Sequence, residues 1–241
     1  MLLRCLDLTS LNENDTAEQI AVLCERAKEP APGLPSVAAV CIAPEHVSKA
    51  RKALFGTTVH VGTVNAFPDG KATSERRVAD ITKALGAGAQ EIDTVLSPSA
   101  LVPGREKQAI AELKACRKAC DGGVILKVIL ETGRAADPGW IKPAALLAMR
   151  AGCDFIKSST GLLPEGATIP AVRQMMEAVG QYDQEAGHQV GIKVAGGIRK
   201  AEHAQRYLDL LVEELGPSWA RPERFRIGSS SLLDDLLQFV D

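Results

Sequence analysis

Short apolar runs alternate with longer amphipathic ones from one end of the chain to the other. The short runs fall at 5–9, 37–43, 59–67, 91–96, 124–131, 154–159, 191–195 and 225–228. They are rich in Val and Ile and bounded by Gly, Pro, Asp or Ser, a pattern that predicts strands. Between them, apolar residues recur at helical spacing over 15–28, 44–54, 73–86, 105–119, 138–151, 168–186, 200–214 and 231–239, which predicts eight helices. Strands alternating with helices build a parallel sheet, and eight such pairs are the number that closes it. The expected fold is therefore α/β, a single (β/α)8 barrel over residues 1–241, with no linker or composition shift to divide it.

A faint internal repeat supports this count. Ala87-Gly88-Ala89-Gln90-Glu91-Ile92-Asp93 aligns with Ala151-Gly152-Cys153-Asp154-Phe155-Ile156-Lys157. In both, a glycine follows a helix where a left-handed cap is expected, and a strand follows at once. The repeat puts Asp93 and Lys157 at matching heights on their strands.

Two lysines interrupt strand-like apolar sequence, Lys157 after Phe155-Ile156 and Lys193 after Gly191-Ile192. Burying an ammonium is costly, so lysines are seldom placed inside a sheet covered on both faces. Side chains alternate along a strand, and laying the strands into a barrel gathers the polar residues into one ring. Asp7, Cys41, Asn65 (with Thr63), Asp93, Lys127, Lys157 and Lys193 are expected to face inward. Branched apolar residues ordinarily fill that space, so the ring predicts a functional site rather than a plain core. A second cation and partial burial both favour the neutral, nucleophilic form of a lysine, which points to amine chemistry.

Glycine and serine add a second constellation. Gly196-Gly197-Ile198 follows the seventh strand and Gly228-Ser229-Ser230-Ser231 the eighth, each ahead of a helix. Glycines let backbone N–H groups approach an anion, and phosphate sites after strands 7 and 8 recur in such barrels.

Composition mainly excludes. The 28 basic and 30 acidic residues nearly cancel, so neither nucleic acid nor an anionic membrane is an expected partner. No apolar run approaches the ~20 residues of a membrane span, and the N-terminus lacks a signal-peptide layout, so a cytoplasmic protein is expected. The six cysteines form no C-x-x-C pair and the four histidines are scattered, so no metal site is expected.

Five stretches together resemble the deoxyribose-phosphate aldolases. They are Asp7-Leu8-Thr9, Glu91-Ile92-Asp93-Thr94-Val95, Leu126-Lys127-Val128-Ile129-Leu130-Glu131-Thr132-Gly133, Phe155-Ile156-Lys157-Ser158-Ser159-Thr160-Gly161 and Gly191-Ile192-Lys193-Val194-Ala195-Gly196-Gly197-Ile198-Arg199. They run in order through about residues 5 to 238. The resemblance implies a class I aldolase, free of cofactor and metal, that cleaves 2-deoxy-D-ribose 5-phosphate reversibly to D-glyceraldehyde 3-phosphate and acetaldehyde in deoxyribonucleotide catabolism. It implies that Lys157 forms the Schiff base, that Lys193 lowers its pKa, and that Asp93 works with a water in proton transfer. Asp7, Cys41, Asn65, Lys127, Thr160, Gly161, Gly196, Gly197, Gly228, Ser229 and Ser230 are the expected substrate contacts, the glycines and serines holding phosphate. A homodimer is left open.

Two departures stand out. Leu162 occupies a place where many members carry a lysine, and no tyrosine-ended tail follows Phe239. The competing readings are another Schiff-base lyase on the same barrel, such as a transaldolase or keto-acid aldolase, and a silent phosphosugar-binding barrel.

Overall fold

A computed structural model describes residues 1–134 and 138–239 of the chain. Eight parallel strands close into a barrel in sequence order: β1 (Leu6–Ser10), β2 (Ala39–Ile42), β3 (His60–Asn65), β4 (Glu91–Val95), β5 (Ile125–Ile129), β6 (Phe155–Lys157), β7 (Gly191–Ala195) and β8 (Phe225–Ser229). The helices are α1 (Ala17–Lys28), α2 (Val47–Ala53), α3 (Ser74–Gly86), α4 (Glu106–Ala119), α5 (Ile141–Arg150), α6 (Ile169–Ala186), α7 (Ala201–Leu215) and α8 (Leu232–Leu236). The expected barrel is thus the observed one, with shorter strands at several positions. Among the described residues, no helix is long and apolar enough to cross a membrane.

Local chemistry sets the helix boundaries. Thr16 caps α1 and forms a reciprocal box with Gln19, while Thr73 and Thr168 accept from backbone N–H groups at the starts of α3 and α6. Gly88 and Gly152, the repeat glycines, have φ of +103° and +95°. An arginine stem from the helix of the previous repeat, α2 or α4, lies across each: a Cβ would sit 2.7 Å from Arg51 Cγ at Gly88 and 3.3 Å from Arg117 Cγ at Gly152. The repeat is therefore one of packing as well as of sequence.

The main apolar core lies between the sheet and the helices. Leu6, Leu8, Val40, Ile42, Val61, Ile92, Leu126, Val128, Ile156, Ile192, Val194 and Ile227 pack there against residues such as Ile20, Ile81, Leu113, Met175 and Leu211. Alternation then turns their strand neighbours inward. On β3 those neighbours are His60, Gly62 and Val64, which corrects the expectation for Asn65. Asn65 points out toward α3, where its Nδ2 donates to the Arg77 carbonyl at 3.1 Å and its Oδ1 accepts from Thr94 Oγ1 at 2.9 Å. Thr63 faces the same way and donates to the Ile42 carbonyl. Their polarity is satisfied on the helix side, so it is no sign of an inward face.

The floor of the barrel is tightly packed. Gly191 lies opposite Phe155 in the β6–β7 ladder, and a Cβ at position 191 would approach Phe155 Cε1 to 2.3 Å. We expect Gly191→Ala to destabilise the fold by about 1–3 kcal/mol through overpacking. Thermal unfolding measures this, and Phe155→Leu in the same chain should restore part of the loss. An unchanged Tm in Gly191→Ala would contradict the packing.

Candidate active site

Seven ionisable side chains meet on the barrel axis: Asp7 from β1, Glu91 and Asp93 from β4, Lys127 from β5, Lys157 from β6, Lys193 from β7 and Arg226 from β8. All are buried, and the least covered, Arg226, is only 4% exposed. Register sets this up. Asp93 stands beside Lys127, Lys157 beside Lys193, and Lys193 beside Arg226 on neighbouring strands. Gly228 makes room for Lys193, since a Cβ there would come within 3.0 Å of Lys193 Cε.

Asp93 is the hub. Its Oδ2 accepts from Lys157 Nζ at 2.9 Å and from Lys193 Nζ at 2.8 Å, while its Oδ1 accepts from Lys127 Nζ at 2.9 Å. Cys41 Sγ approaches the same Oδ2 at 3.9 Å. Below the hub, Lys127 also donates to Glu91 Oε2, and Lys193 pairs with Asp7 Oδ2 at 2.6 Å. Arg226 joins Asp7 Oδ1 at 2.6 Å to Glu91 Oε1 at 3.0 Å. His60 closes the floor with its Nδ1 at 2.9 Å from Glu91 Oε1.

Burial opposes charge in this cluster, and pairing outweighs it. Desolvation alone would raise Asp93's pKa, but Lys127, Lys157 and Lys193 hold it well below the usual carboxylate range. Glu91 is likewise held well below by Lys127 and Arg226, and Asp7 is lowered by Lys193 and Arg226. Burial would strip the proton from Lys193, yet Asp7 and Asp93 hold its pKa well above the ordinary lysine value. Lys127 is raised in the same way by Asp93 and Glu91. Burial pushes the Cys41 thiol up, so it stays protonated.

The lysines differ in access. Lys157 lines a cleft of about 200 Å³ at the C-terminal mouth, whereas Lys127 and Lys193 do not. Lys157 also has one carboxylate partner, against two for Lys193 and three for Lys127. Thr160, Gly161, Gly196, Gly197, Gly228, Ser229 and Ser230 share the cleft with it. Leu162 stands at the rim, 60% exposed. Asp7, Cys41 and Lys127 lie beneath the cleft instead of lining it, and Asn65 is outside the barrel interior. A larger concavity of about 900 Å³ borders the rim at Leu11, Asn12 and Leu162, but contains none of the seven charged groups.

The glycine- and serine-rich wall of the cleft is made of turns. Gly161, Gly196 and Gly197 have φ of +85°, +95° and +81°, conformations that favour glycine. A Cβ at Gly196 would meet Gly166 Cα at 2.7 Å and Ser159 Oγ at 2.8 Å. Ser229 Oγ is committed internally, donating to the Ile198 carbonyl at 2.6 Å and accepting from Leu232 N at 3.1 Å. It ties the two turns together, while Ser230 is exposed. The start of α7 is occupied by Asp235, whose Oδ2 accepts from Ala201 N at 2.7 Å, so the turns, and not that helix end, face the cleft.

Sequence reading missed Arg226, Glu91 and His60. Glu91 was findable, because it shares the parity of Asp93 two residues on. Arg226 sits in a short run whose parity has no second polar marker, and His60 reads equally well as a packed strand residue.

A model of the DeoC/LacD family of aldolases matches residues 1–237. The chain belongs to this family of aldolases. Among solved structures, a Coccidioides immitis chain assigned as a deoxyribose-phosphate aldolase is 31% identical, with a TM-score of 0.82 over 98% of this chain and 84% of that one. The tetrameric deoxyribose phosphate aldolase of Aeropyrum pernix is 26% identical, with a TM-score of 0.78 over 99% and 90% of the two chains. A Toxoplasma gondii chain superposes with a TM-score of 0.87 at 24% identity, covering 98% and 92%, which speaks for the fold. In this DeoC/LacD aldolase the buried ion cluster rises from the floor of the barrel, and through Lys157 it reaches the C-terminal mouth, the end at which barrel enzymes of this fold carry their active sites.

The cluster also predicts how stability depends on pH. Carboxylates with depressed folded pKa values contribute stability above their unfolded values near 4, and lose it as pH falls through the folded ones. Lysines with raised folded values contribute fully below about 10.4 and lose it as pH rises further. Urea unfolding should give a plateau between about pH 6 and 9 that falls away below about 4.5 and above about 10.5. Asp93→Asn should lower that plateau and make the acid side shallower. An acid limb as steep as in the parent chain would mean that other groups carry it.

Proposed function

We propose that the protein is a deoxyribose-phosphate aldolase that works through an imine on Lys157. The observation that carries this reading is that Lys157 alone of the three buried lysines opens on the cleft, with its Nζ held by the carboxylate that also holds Lys193. A nucleophilic amine must present a lone pair. Asp93 accepts one N–H of Lys157, which turns the lone pair of the free amine away from the carboxylate and toward the cleft.

The chemistry then follows from the arrangement. Lys157 Nζ adds to the C1 aldehyde of open-chain 2-deoxy-D-ribose 5-phosphate, and loss of water leaves a protonated imine. Removal of the C3 hydroxyl proton lets the C2–C3 bond break, its electron pair moving into the C1–C2 bond as the imine becomes an enamine. Glyceraldehyde 3-phosphate leaves. The enamine takes a proton at C2, and water releases acetaldehyde and restores the lysine. The imine is the electron sink, so no Lewis-acid metal or organic cofactor has a role.

Asp93 and Lys193 have complementary parts. Asp93, held well below the carboxylate range, is a weak base by itself. It orients the amine and relays protons through a water, while Lys193 stays cationic beside it. Phosphate is held by the turns at Gly161, Gly196, Gly197 and Ser230; the Gly161 N–H is taken by Ser159 Oγ at 2.8 Å, and the N–H groups of the other turns suit an anion. Asp7, Cys41 and Lys127 support the reacting groups from below. The reading places the enzyme in the cytoplasm, in the breakdown of deoxyribonucleotide sugar.

Borohydride added with acetaldehyde or deoxyribose 5-phosphate should fix a two-carbon or sugar adduct on the peptide containing Lys157, seen by mass spectrometry. Asp93→Asn should cut kcat by about 10²–10⁴-fold with a much smaller change in KM. Adduct on Lys127 or Lys193 instead would overturn the assignment.

Leu162 gives a test of the phosphate site. Leu162→Lys puts an ammonium at the rim, and one added exposed charge contact of about 1 kcal/mol is a roughly fivefold lower KM for deoxyribose 5-phosphate. The unphosphorylated sugar should be unaffected. Equal effects on both sugars would place the phosphate elsewhere.

A further inference from the structure

We infer that Glu91 and Arg226 form a lower tier of fixed charge that sets the electrostatic potential at Lys157, making both of them positioning residues for the aldol chemistry proposed above. Neither lines the mouth cleft or reaches a reacting atom. They act through Lys127, Asp7 and Asp93.

The contacts form two arms. In one, Glu91 Oε2 accepts a hydrogen bond from Lys127, whose Nζ also donates to Asp93 Oδ1 at 2.9 Å, leaving Oδ2 for Lys157 and Lys193. In the other, Arg226 bridges Glu91 Oε1 and Asp7 Oδ1, and Asp7 Oδ2 then meets Lys193 at 2.6 Å. The two arms join at Asp93 Oδ2. Arg226 is itself fixed, its Nε donating to the Pro222 carbonyl at 2.5 Å and its guanidinium lying 5.6 Å above the Phe155 ring. A guanidinium fits this role because it spans two carboxylates in one plane and stays charged.

The charge count makes the tier matter. The cluster holds three carboxylates (Asp7, Glu91, Asp93) against four cationic side chains (Lys127, Lys157, Lys193, Arg226). With every group ionised, one positive charge is in excess, and it disappears when one amine is unprotonated. Removing a lower-tier carboxylate increases the excess, and removing the arginine cancels it. The other titratable groups that face the tier are His60 on β3, which touches Glu91, Cys41 on β2, which touches Asp93, the buried thiol of Cys5 near Arg226 and Asp7, and Arg4, Glu223 and Arg224, which line one concavity with His60 and Arg226. Glu131, just past the end of β5, is turned to Thr160 N at 3.2 Å and joins none of these pairs.

Opposite charges give opposite signatures, which a packing defect would not. Glu91→Gln removes a negative charge and should move the acid limb of the kcat/KM–pH profile down by about one pH unit. Arg226→Met removes a positive charge and should move the limb up by about the same amount. Both should lower kcat about tenfold or more while KM changes less than about threefold. The charge-keeping variants Glu91→Asp and Arg226→Lys should keep the limb in place.

Borohydride trapping at Lys157 in the parent enzyme keeps the two readings separate. If the parent is not trapped at Lys157, the imine reading fails. If it is trapped and folded variants shift their limbs in the same direction, or not at all, the lower-tier inference fails. Should either single variant not accumulate as folded protein by circular dichroism, Glu91→Gln combined with Arg226→Met removes one charge of each sign. Its limb should coincide with the parent's, and a displacement of more than about half a pH unit would overturn the inference.

Discussion

One carboxylate with three lysines on it governs the interior of this barrel. Asp93 receives Lys127 on one oxygen and Lys157 and Lys193 on the other, all at 2.8–2.9 Å. Charges buried this deeply each cost several kcal/mol of lost hydration, and they are tolerable only as a paired set. Removing any one member leaves an opposite charge stranded. The strand register, the glycine at 228 that makes room for Lys193, and the arginine beneath all follow from the need to keep that set complete.

The same requirement separates support from chemistry. The deeper groups, Asp7, Glu91, Lys127 and Arg226, have closed partnerships and their pKa values move in the direction of permanent charge. Lys157 is at the top, on a strand of only three residues, with a single carboxylate partner and a face to the cleft. An aldolase that works through an imine needs one amine that is both reachable and held in direction. The charged interior below supplies the direction without competing for the ligand, because none of it reaches the cleft.

The mouth is arranged on a different principle. Turns with positive φ at Gly161, Gly196 and Gly197 bring backbone to the cleft, while Ser229 spends its hydroxyl on tying the turns after β7 and β8 together and Asp235 spends its carboxylate on the start of α7. Ser229 reads from sequence as a phosphate contact; it lines the cleft, and its hydroxyl is spent as a strut. Both roles use a serine after a strand, and only the position of the Ile198 carbonyl 2.6 Å away distinguishes them.

The alternation of short apolar and long amphipathic segments was enough to establish eight strands, eight helices and a closed parallel barrel, because period and count are properties of the chain itself. It was enough, too, to bring Asp7, Asp93, Lys127, Lys157 and Lys193 onto one face, since an ammonium in apolar strand sequence is too costly to bury except among carboxylates. Parity on a single strand carries no label for inside and outside. Thr63 and Asn65 looked inward by their polarity, but Arg77 and Thr94 satisfy Asn65 on the helix side, and Gly62 and Val64 take the interior. Glu91 and Arg226, 135 residues apart, find each other only when β8 closes against β1, because pairing of that range depends on closure and not on anything local to either strand.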